Sequence, residues 1–177
     1  MPDPVELDAE RIIEVLNRHG VDYVVIGGFA AVLHGSPRTT ADIDITPSAE
    51  RSNLLRLGAA LTELAAKLMP PGATAGVDWP WTAEGFAAFT TMTTRTSAGD
   101  LDICLRPDAP GGRQYQFDDL AARAIVISLP PDVPVASLAD VIASKEASGR
   151  DKDLLTLPHL RDLLLALEAA KRDRDRS

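Results

Sequence analysis

Apolar positions recur in two periods along this chain, and the alternation between them predicts an interleaving of helices and strands. Between Val5 and Arg18 the residues Leu7, Ile12, Ile13, Val15 and Leu16 share one helical face, and Gly20 ends the run. Val24-Val25-Ile26 is a short β-branched strand closed by Gly27-Gly28, after which Phe29, Ala30, Val32 and Leu33 return to helical spacing. Ala41-Asp42-Ile43-Asp44-Ile45 reads as a second strand. Leu54, Leu55, Leu57, Leu61, Leu64 and Leu68 predict a helix capped near Ser48 and ending before Pro70-Pro71. An irregular segment follows to Glu84, with Trp79 and Trp81 plugging the core edge. Phe86 to Thr96 predicts a strand paired through Ser97-Ala98-Gly99 with a strand over Leu101 to Leu105. A brief helix at Phe117 to Leu120 and a final buried strand at Ala124 to Ile127 complete the sheet. Ser137 caps a helix to Ser148, Gly149 breaks it, and a second helix runs from about Lys152 to Lys171, beyond which the sign-alternating tail frays.

These elements predict an α+β fold: a mixed sheet with helices packed on it across residues 1–136, then a C-terminal helical segment, 137–177, of the same compact domain. A length of 177 residues with 45% hydrophobic content suffices for one buried core. With aromatics at 5%, Leu, Ile, Val and Ala must fill it.

The second strand carries the chemistry. In an extended Asp42-Ile43-Asp44-Ile45 the period of two puts both carboxylates on one face and both isoleucines on the other. Side by side, two carboxylates repel unless a cation sits between them, and hard oxygen donors suit Mg²⁺, with Mn²⁺ as the substitute. Gly99-Asp100-Leu101-Asp102-Ile103 repeats the alternation, so Asp102 becomes a third carboxylate if the two strands are neighbours. Asp100 reads as a turn residue, although spacing alone leaves open which of the two is the third acid. Three such acids suit two-metal phosphoryl transfer, with Asp102 as general base or ligand to the second metal.

Gly27 and Gly28 allow close backbone approach, and free N–H groups at a helix start favour phosphate oxygens. Thirteen residues separate Gly28 from Asp42, and within that spacer Arg38, Thr39 and Thr40 stand where phosphate or ribose would be met. Further on, Ser144-Lys145 and Gly149-Arg150-Asp151-Lys152-Asp153 are dense in charge. One reading is a solvated helical hairpin; the other has Lys145 facing a triphosphate while Asp153 orients it or a nearby arginine. Arg106, Arg113 and Arg123 read as a modest binding patch or, preferably, as ordinary surface charge.

A formal charge of −8 argues against a broadly basic nucleic-acid surface, though a local cation cluster can still hold a phosphate backbone. The single Cys104 leaves no disulfide framework and no Cys-based zinc site, and His19, His34 and His159 are scattered. The longest apolar stretch, around Val24 to Leu33, is too short and glycine-broken to span a bilayer, so a cytoplasmic protein with no membrane partner is expected.

In order, Gly27-Gly28, Asp42-Ile43-Asp44 and Leu101-Asp102-Ile103 resemble the motifs of the nucleotidyltransferase superfamily related to DNA polymerase β. The later Lys145 and Arg150-Asp151-Lys152-Asp153 narrow the likeness to the AbiEii and MenT group of toxin nucleotidyltransferases from bacterial toxin–antitoxin systems. That resemblance implies a polymerase β-like core and transfer of a nucleoside monophosphate from an NTP to an RNA acceptor, first among them the 3′ end of tRNA. It also implies that Asp42 and Asp44 carry metal, Lys145 binds phosphate and Asp153 is a C-terminal essential acid. Where the group often has serine beside its glycine and before its first acid, this chain has Gly28 and Ala41, with Thr40 one position earlier. Some of these toxins are silenced by a partner antitoxin that phosphorylates a hydroxyl beside the metal acids. Thr40 is the corresponding candidate, where phosphate would add about −1.5 to −2 charge. Two other readings are a nucleotidyltransferase acting on a small-molecule antibiotic or a protein hydroxyl, and a non-catalytic module that binds a nucleotide or partner.

Overall fold

The computed structural model describes residues 5–128 and 130–176. Its framework is a seven-stranded mixed sheet in the order β3 (Lys67–Leu68), β4 (Thr91–Thr96), β5 (Gly99–Cys104), β2 (Asp42–Pro47), β1 (Tyr23–Ile26), β9 (Val133–Val135), β8 (Ile125–Ile127). Helix α1 (Ala9–Arg18) starts where the Asp8 carboxylate accepts the Arg11 N–H, later than the apolar pattern suggests, and buries Ile12, Ile13, Val15 and Leu16. Strand β1 (Tyr23–Ile26) runs directly into α2 (Gly27–Leu33), and β2 (Asp42–Pro47) returns antiparallel to β1.

Helix α3 (Arg51–Glu63) is shorter than predicted. At Ala65 the backbone enters the left-handed region, φ 50°, and Leu68 instead lies in the two-residue β3 (Lys67–Leu68). Its N-cap is Glu50 rather than Ser48, with no side-chain cap bond. The Phe86 to Thr96 stretch also divides. Thr82 caps a one-turn helix α4 (Ala83–Ala87) through the Gly85 N–H, so β4 begins only at Thr91 (Thr91–Thr96). Trp81 stacks on Phe86 with ring centroids 5.9 Å apart and Trp79 meets Phe89 edge-on at 5.6 Å, closing the end of the core.

Strand β5 (Gly99–Cys104) forms a hairpin with β4 and runs parallel to β2 on its other side. Ile43, Ile45, Leu101 and Ile103 are fully buried on one face of these central strands. Truncation of any of them to Ala costs about 2–5 kcal/mol. A small hairpin, β6 (Asp108–Ala109) and β7 (Arg113–Gln114), precedes α5 (Phe117–Ala121).

The strand expected to be final and buried is neither. In β8 (Ile125–Ile127), Ile125 and Val126 are exposed at the sheet edge, and β9 (Val133–Val135) follows it, lying between β8 and β1. Three residues with Pro134 at the centre give no periodic signal, so β9 is invisible to pattern reading. Helix α6 (Leu138–Ser148) is capped by Ser137 and stopped by Gly149 at φ 62°, and it packs on α2. The single helix expected from Lys152 is two, α7 (Asp151–Leu154) and α8 (Leu157–Arg174), interrupted at Leu155-Thr156. No described helix is long and apolar enough to cross a membrane.

Candidate active site

The face of β2 and β5 opposite the buried isoleucines opens into a cleft of about 470 Å³. The parallel register sets Asp44 beside Asp102 and Asp42 beside Asp100, so alternation brings four carboxylates to one face. Arg95 then removes Asp100 from the group, donating to its two oxygens at 2.9 and 3.2 Å. Asp42, Asp44 and Asp102 remain lining the cleft.

Gly27 owes its identity to Asp44. Its φ is +65°, and a Cβ there would lie 2.1 Å from Asp44 Oδ2. The Gly28 main chain lies close enough to the same carboxylate to favour its charged form. The glycine turn therefore brings main chain against the acid. Thr40 donates its hydroxyl to Asp42 Oδ1 at 2.7 Å, and a Cβ on Gly28 would sit 3.0 Å from that hydroxyl oxygen. Arg38 and Thr39 are exposed along the same rim.

Burial raises the Asp44 carboxyl to about 7, and repulsion from Asp42 and Asp102 adds to it, against the opposing pull of the Gly28 N–H and Lys145. Asp102 rises to about 6, again mainly by burial; Asp42 and Asp100 push it further up, while the Thr93 hydroxyl and Lys152 counter the rise. All donors here are oxygens, which suits Mg²⁺ or Mn²⁺ and not zinc. Among the described residues no three His, Cys, Asp or Glu side chains are already drawn together as a metal clasp.

Helices α6 and α7 form the opposite wall. Lys145 donates to Asp153 Oδ1 at 2.7 Å, and Arg150 and Ser148 donate to Asp153 Oδ2 at 2.6 and 3.0 Å. Burial pushes the Asp153 carboxyl up, but the hydrogen bonds from Lys145 and Arg150 outweigh it and hold Asp153 below the ordinary range. Lys145 stays close enough to Asp44 to stabilise its charge. Within the charge-dense segment Lys145, Arg150 and Asp153 thus form a paired cluster, while Asp151 and Lys152 are exposed.

Sequence reasoning passed over four cleft residues. Asp140, buried in the first turn of α6, binds Arg123 at 2.9–3.2 Å and Ser137 at 2.7 Å. Tyr115 lies under the Arg123 guanidinium, 5.8 Å from ring centroid to Cζ. Cys104 accepts from Thr91 at 3.3 Å, and Lys152 projects from α7. Ser137 followed three residues later by Asp140 was the readable trace of the first. Of the three arginines weighed as a patch, none lines this cleft.

A mixed sheet bearing Gly-Gly, Asp-x-Asp and a third acid on its parallel neighbour defines a polymerase β-like nucleotidyltransferase. The fold agrees with solved structures. The lincosamide antibiotic adenylyltransferase LnuA, lincomycin-bound, superposes with a TM-score of 0.57 at 18% identity, covering 89% of this chain and 99% of that one. ANT(2″)-Ia, an antibiotic-resistance factor, gives 0.52 at 16% identity over 94% and 90%. A candidate nucleotidyltransferase from Thermotoga maritima, TM1012, gives 0.53 at 16% over 92% and 99%. No protein of curated function matches the sequence. Residues 14–175 match the model for the nucleotidyl transferase AbiEii toxin of type IV toxin–antitoxin systems, and the chain belongs to that family. It is an enzyme of the nucleotidyltransferase class.

Proposed function

We propose that this enzyme transfers a nucleoside monophosphate from an NTP to a hydroxyl of an RNA, with the tRNA 3′ end as first candidate, and acts as the growth-inhibiting toxin of a toxin–antitoxin pair in the cytoplasm. The observation that carries the proposal is that Asp42, Asp44 and Asp102 share one face of the paired strands β2 and β5, in a single cleft that Lys145 and Arg38 also line.

In this reading Asp42, Asp44 and Asp102 hold Mg²⁺ or Mn²⁺. Burial first, and then the neighbouring acids, make the charged forms of Asp44 and Asp102 costly without a cation, which such an ion would supply. When bound, the metal neutralises these acids and the phosphates and polarises the reacting oxygens. The chain's own residues orient the substrate. Gly27, Gly28, Arg38, Thr39 and Thr40 border the triphosphate, Lys145 offers it an ammonium group, and Asp153 positions Lys145. Asp102, free of the Arg95 that grips Asp100, is either a ligand to the second metal or the group that receives the proton of the attacking hydroxyl. Phosphorylation of Thr40 by an antitoxin would set a dianion against Asp42 and obstruct NTP binding.

Incubation with each labelled NTP and total tRNA tests the reaction; label transfer to RNA is expected and is lost in Asp42→Ala. Absence of transfer with all four NTPs would sink the RNA reading. Induced expression tests the toxin role, with arrest by the wild type and growth with Asp42→Ala. A second reading, transfer to a hydroxylated antibiotic, draws on the charge of −8, which attracts cations, and on the fold shared with LnuA and ANT(2″)-Ia. Drug resistance on expression without growth arrest would favour it.

A further inference from the structure

Among the described residues that line the cleft, one side chain is aromatic: Tyr115, half-buried between β7 and α5. Its backbone and its ring are held separately. The main-chain N–H donates to the Pro107 carbonyl at 2.9 Å. The Arg123 guanidinium lies over the ring, 5.8 Å from Cζ to the centroid, and Arg123 is itself outside the cleft lining. One face of the ring is therefore backed by a cation while the residue still borders the cavity.

Arg123 is fixed in turn. It donates to both oxygens of the buried Asp140 carboxylate at 2.9–3.2 Å, and the Ser137 hydroxyl donates to one of them at 2.7 Å. Satisfied by its own neighbours, Asp140 anchors the guanidinium and through it the ring. This clasp also has an address. Helix α6 follows β9 directly, and β9 pairs with β1, the strand that delivers the Gly27-Gly28 turn, whereas β5 with Asp102 lies beyond β1 and β2. Asp140 and Lys145 both line the cleft from α6, about 7.5 Å apart along its axis. A ribose bridges such a separation. With Lys145 on the triphosphate, the base it carries reaches the end of the cleft that holds Tyr115, where Leu120, Ala136 and Val141 add apolar lining.

We propose that Tyr115 is the platform for the nucleobase of the donor NTP: the base stacks on the ring face left free by Arg123, and Arg123, anchored by Asp140, keeps the ring from turning away. This rests on the nucleotidyltransferase reading above and extends it from the triphosphate to the base. An aromatic ring takes a base through its π-face, and a ring already held in place loses little freedom when it does so. Loss of the ring therefore appears in nucleotide affinity and not in the grip on the phosphates.

The test is equilibrium binding, with Mg²⁺, of each NTP and of inorganic tripolyphosphate to wild type, Tyr115→Ala and Tyr115→Phe. Tyr115→Ala should weaken the NTP that the wild type binds tightest by about five- to hundredfold and leave tripolyphosphate affinity within about twofold. Tyr115→Phe keeps the ring and should hold both affinities within about threefold of wild type. Equal weakening of NTP and tripolyphosphate by Tyr115→Ala would report a disturbed cleft and overturn the proposal. Unchanged NTP affinity overturns it as well, and a raised KM for RNA in its place would give the ring to the acceptor. Those failures leave the nucleotidyltransferase reading intact. A wild type that binds neither NTP nor tripolyphosphate removes that reading and the proposal with it.

Discussion

Two walls of one cleft present the same side chain in opposite electrostatic states. On β2 and β5, Asp44 and Asp102 sit with their carboxyls raised to about 7 and about 6. On α7, Asp153 is buried as well, yet its carboxyl is held low. The difference lies in the partners. Asp153 has a lysine, an arginine and a hydroxyl on its two oxygens, whereas Asp44 has no side-chain hydrogen bond and two repelling neighbours, opposed by the Gly28 main chain and the field of Lys145. A carboxylate satisfied from within positions its neighbours; one left in deficit is arranged for something that arrives.

The sharpest test of this contrast is to neutralise one acid on each wall. Asp44→Asn should lower NMP transfer by about 10³-fold or more, as loss of a group acting on developing charge does. Without metal, the variant should melt no lower than wild type and preferably higher, since it relieves repulsion. Asp153→Asn should do the reverse in stability. Leaving Lys145 and Arg150 without their acid destabilises by about 3–5 kcal/mol, read as a shift in denaturant midpoint, and activity falls with it. Arg150 is 62% exposed, so the upper end of that range is not expected. If Asp44→Asn unfolds the protein as readily as Asp153→Asn, the two walls are alike and the contrast fails.

Acidity separates the walls next. A folded-state carboxyl raised to about 7 binds its proton in the native state while the unfolded chain has already lost it. Stability of the metal-free protein should therefore decline as pH rises from about 4 to about 7. Asp153 works in the other sense: its contribution is present above the ordinary carboxylate range and is lost as pH falls through its depressed value. Melting temperatures without metal should thus peak at mildly acid pH. Added Mg²⁺ should flatten the decline toward neutrality, and Asp44→Asn should largely remove it. A profile that rises steadily to pH 7 in both proteins would break the assignment of charge deficit to Asp44.

What could be read in advance follows from which forces act locally. Alternation in Asp42-Ile43-Asp44-Ile45 and Leu101-Asp102-Ile103 is a backbone property, so the faces of β2 and β5 and their acids were legible without coordinates. Capping by Ser137 and the stop at Gly149 were legible for the same reason. Alternation could not reveal that β2 is the partner of β5, and the β4–β5 register is what sets Arg95 against Asp100. The short β9 and the break at Leu155-Thr156 are set by tertiary pairing and not by local pattern. The apolar run from Leu54 to Leu68 suited one helix, but the turn at Ala65 delivers Leu68 to β3. Lys152 was hidden by its neighbours: in a run of charges, nothing in composition distinguishes those held in ion pairs from those left exposed.

The smallest expected effect bears on the third acid. Asp100 shares a face and a hairpin with Asp102, and the sequence treats the two as near equivalents. The structure separates them by one arginine: Arg95 grips both oxygens of Asp100, with side-chain exposures of 40% and 35%. At that exposure the pair contributes no more than about 1 kcal/mol. Asp100→Asn should therefore change stability within that limit and alter NMP transfer by about twofold or less. The same substitution at Asp102 should approach the Asp44→Asn loss. Side-by-side transfer assays of the two variants decide the matter, because a large loss at Asp100 with activity kept at Asp102 would mean that Arg95 yields its acid to the substrate complex, and the deficit on this wall would have to be reassigned.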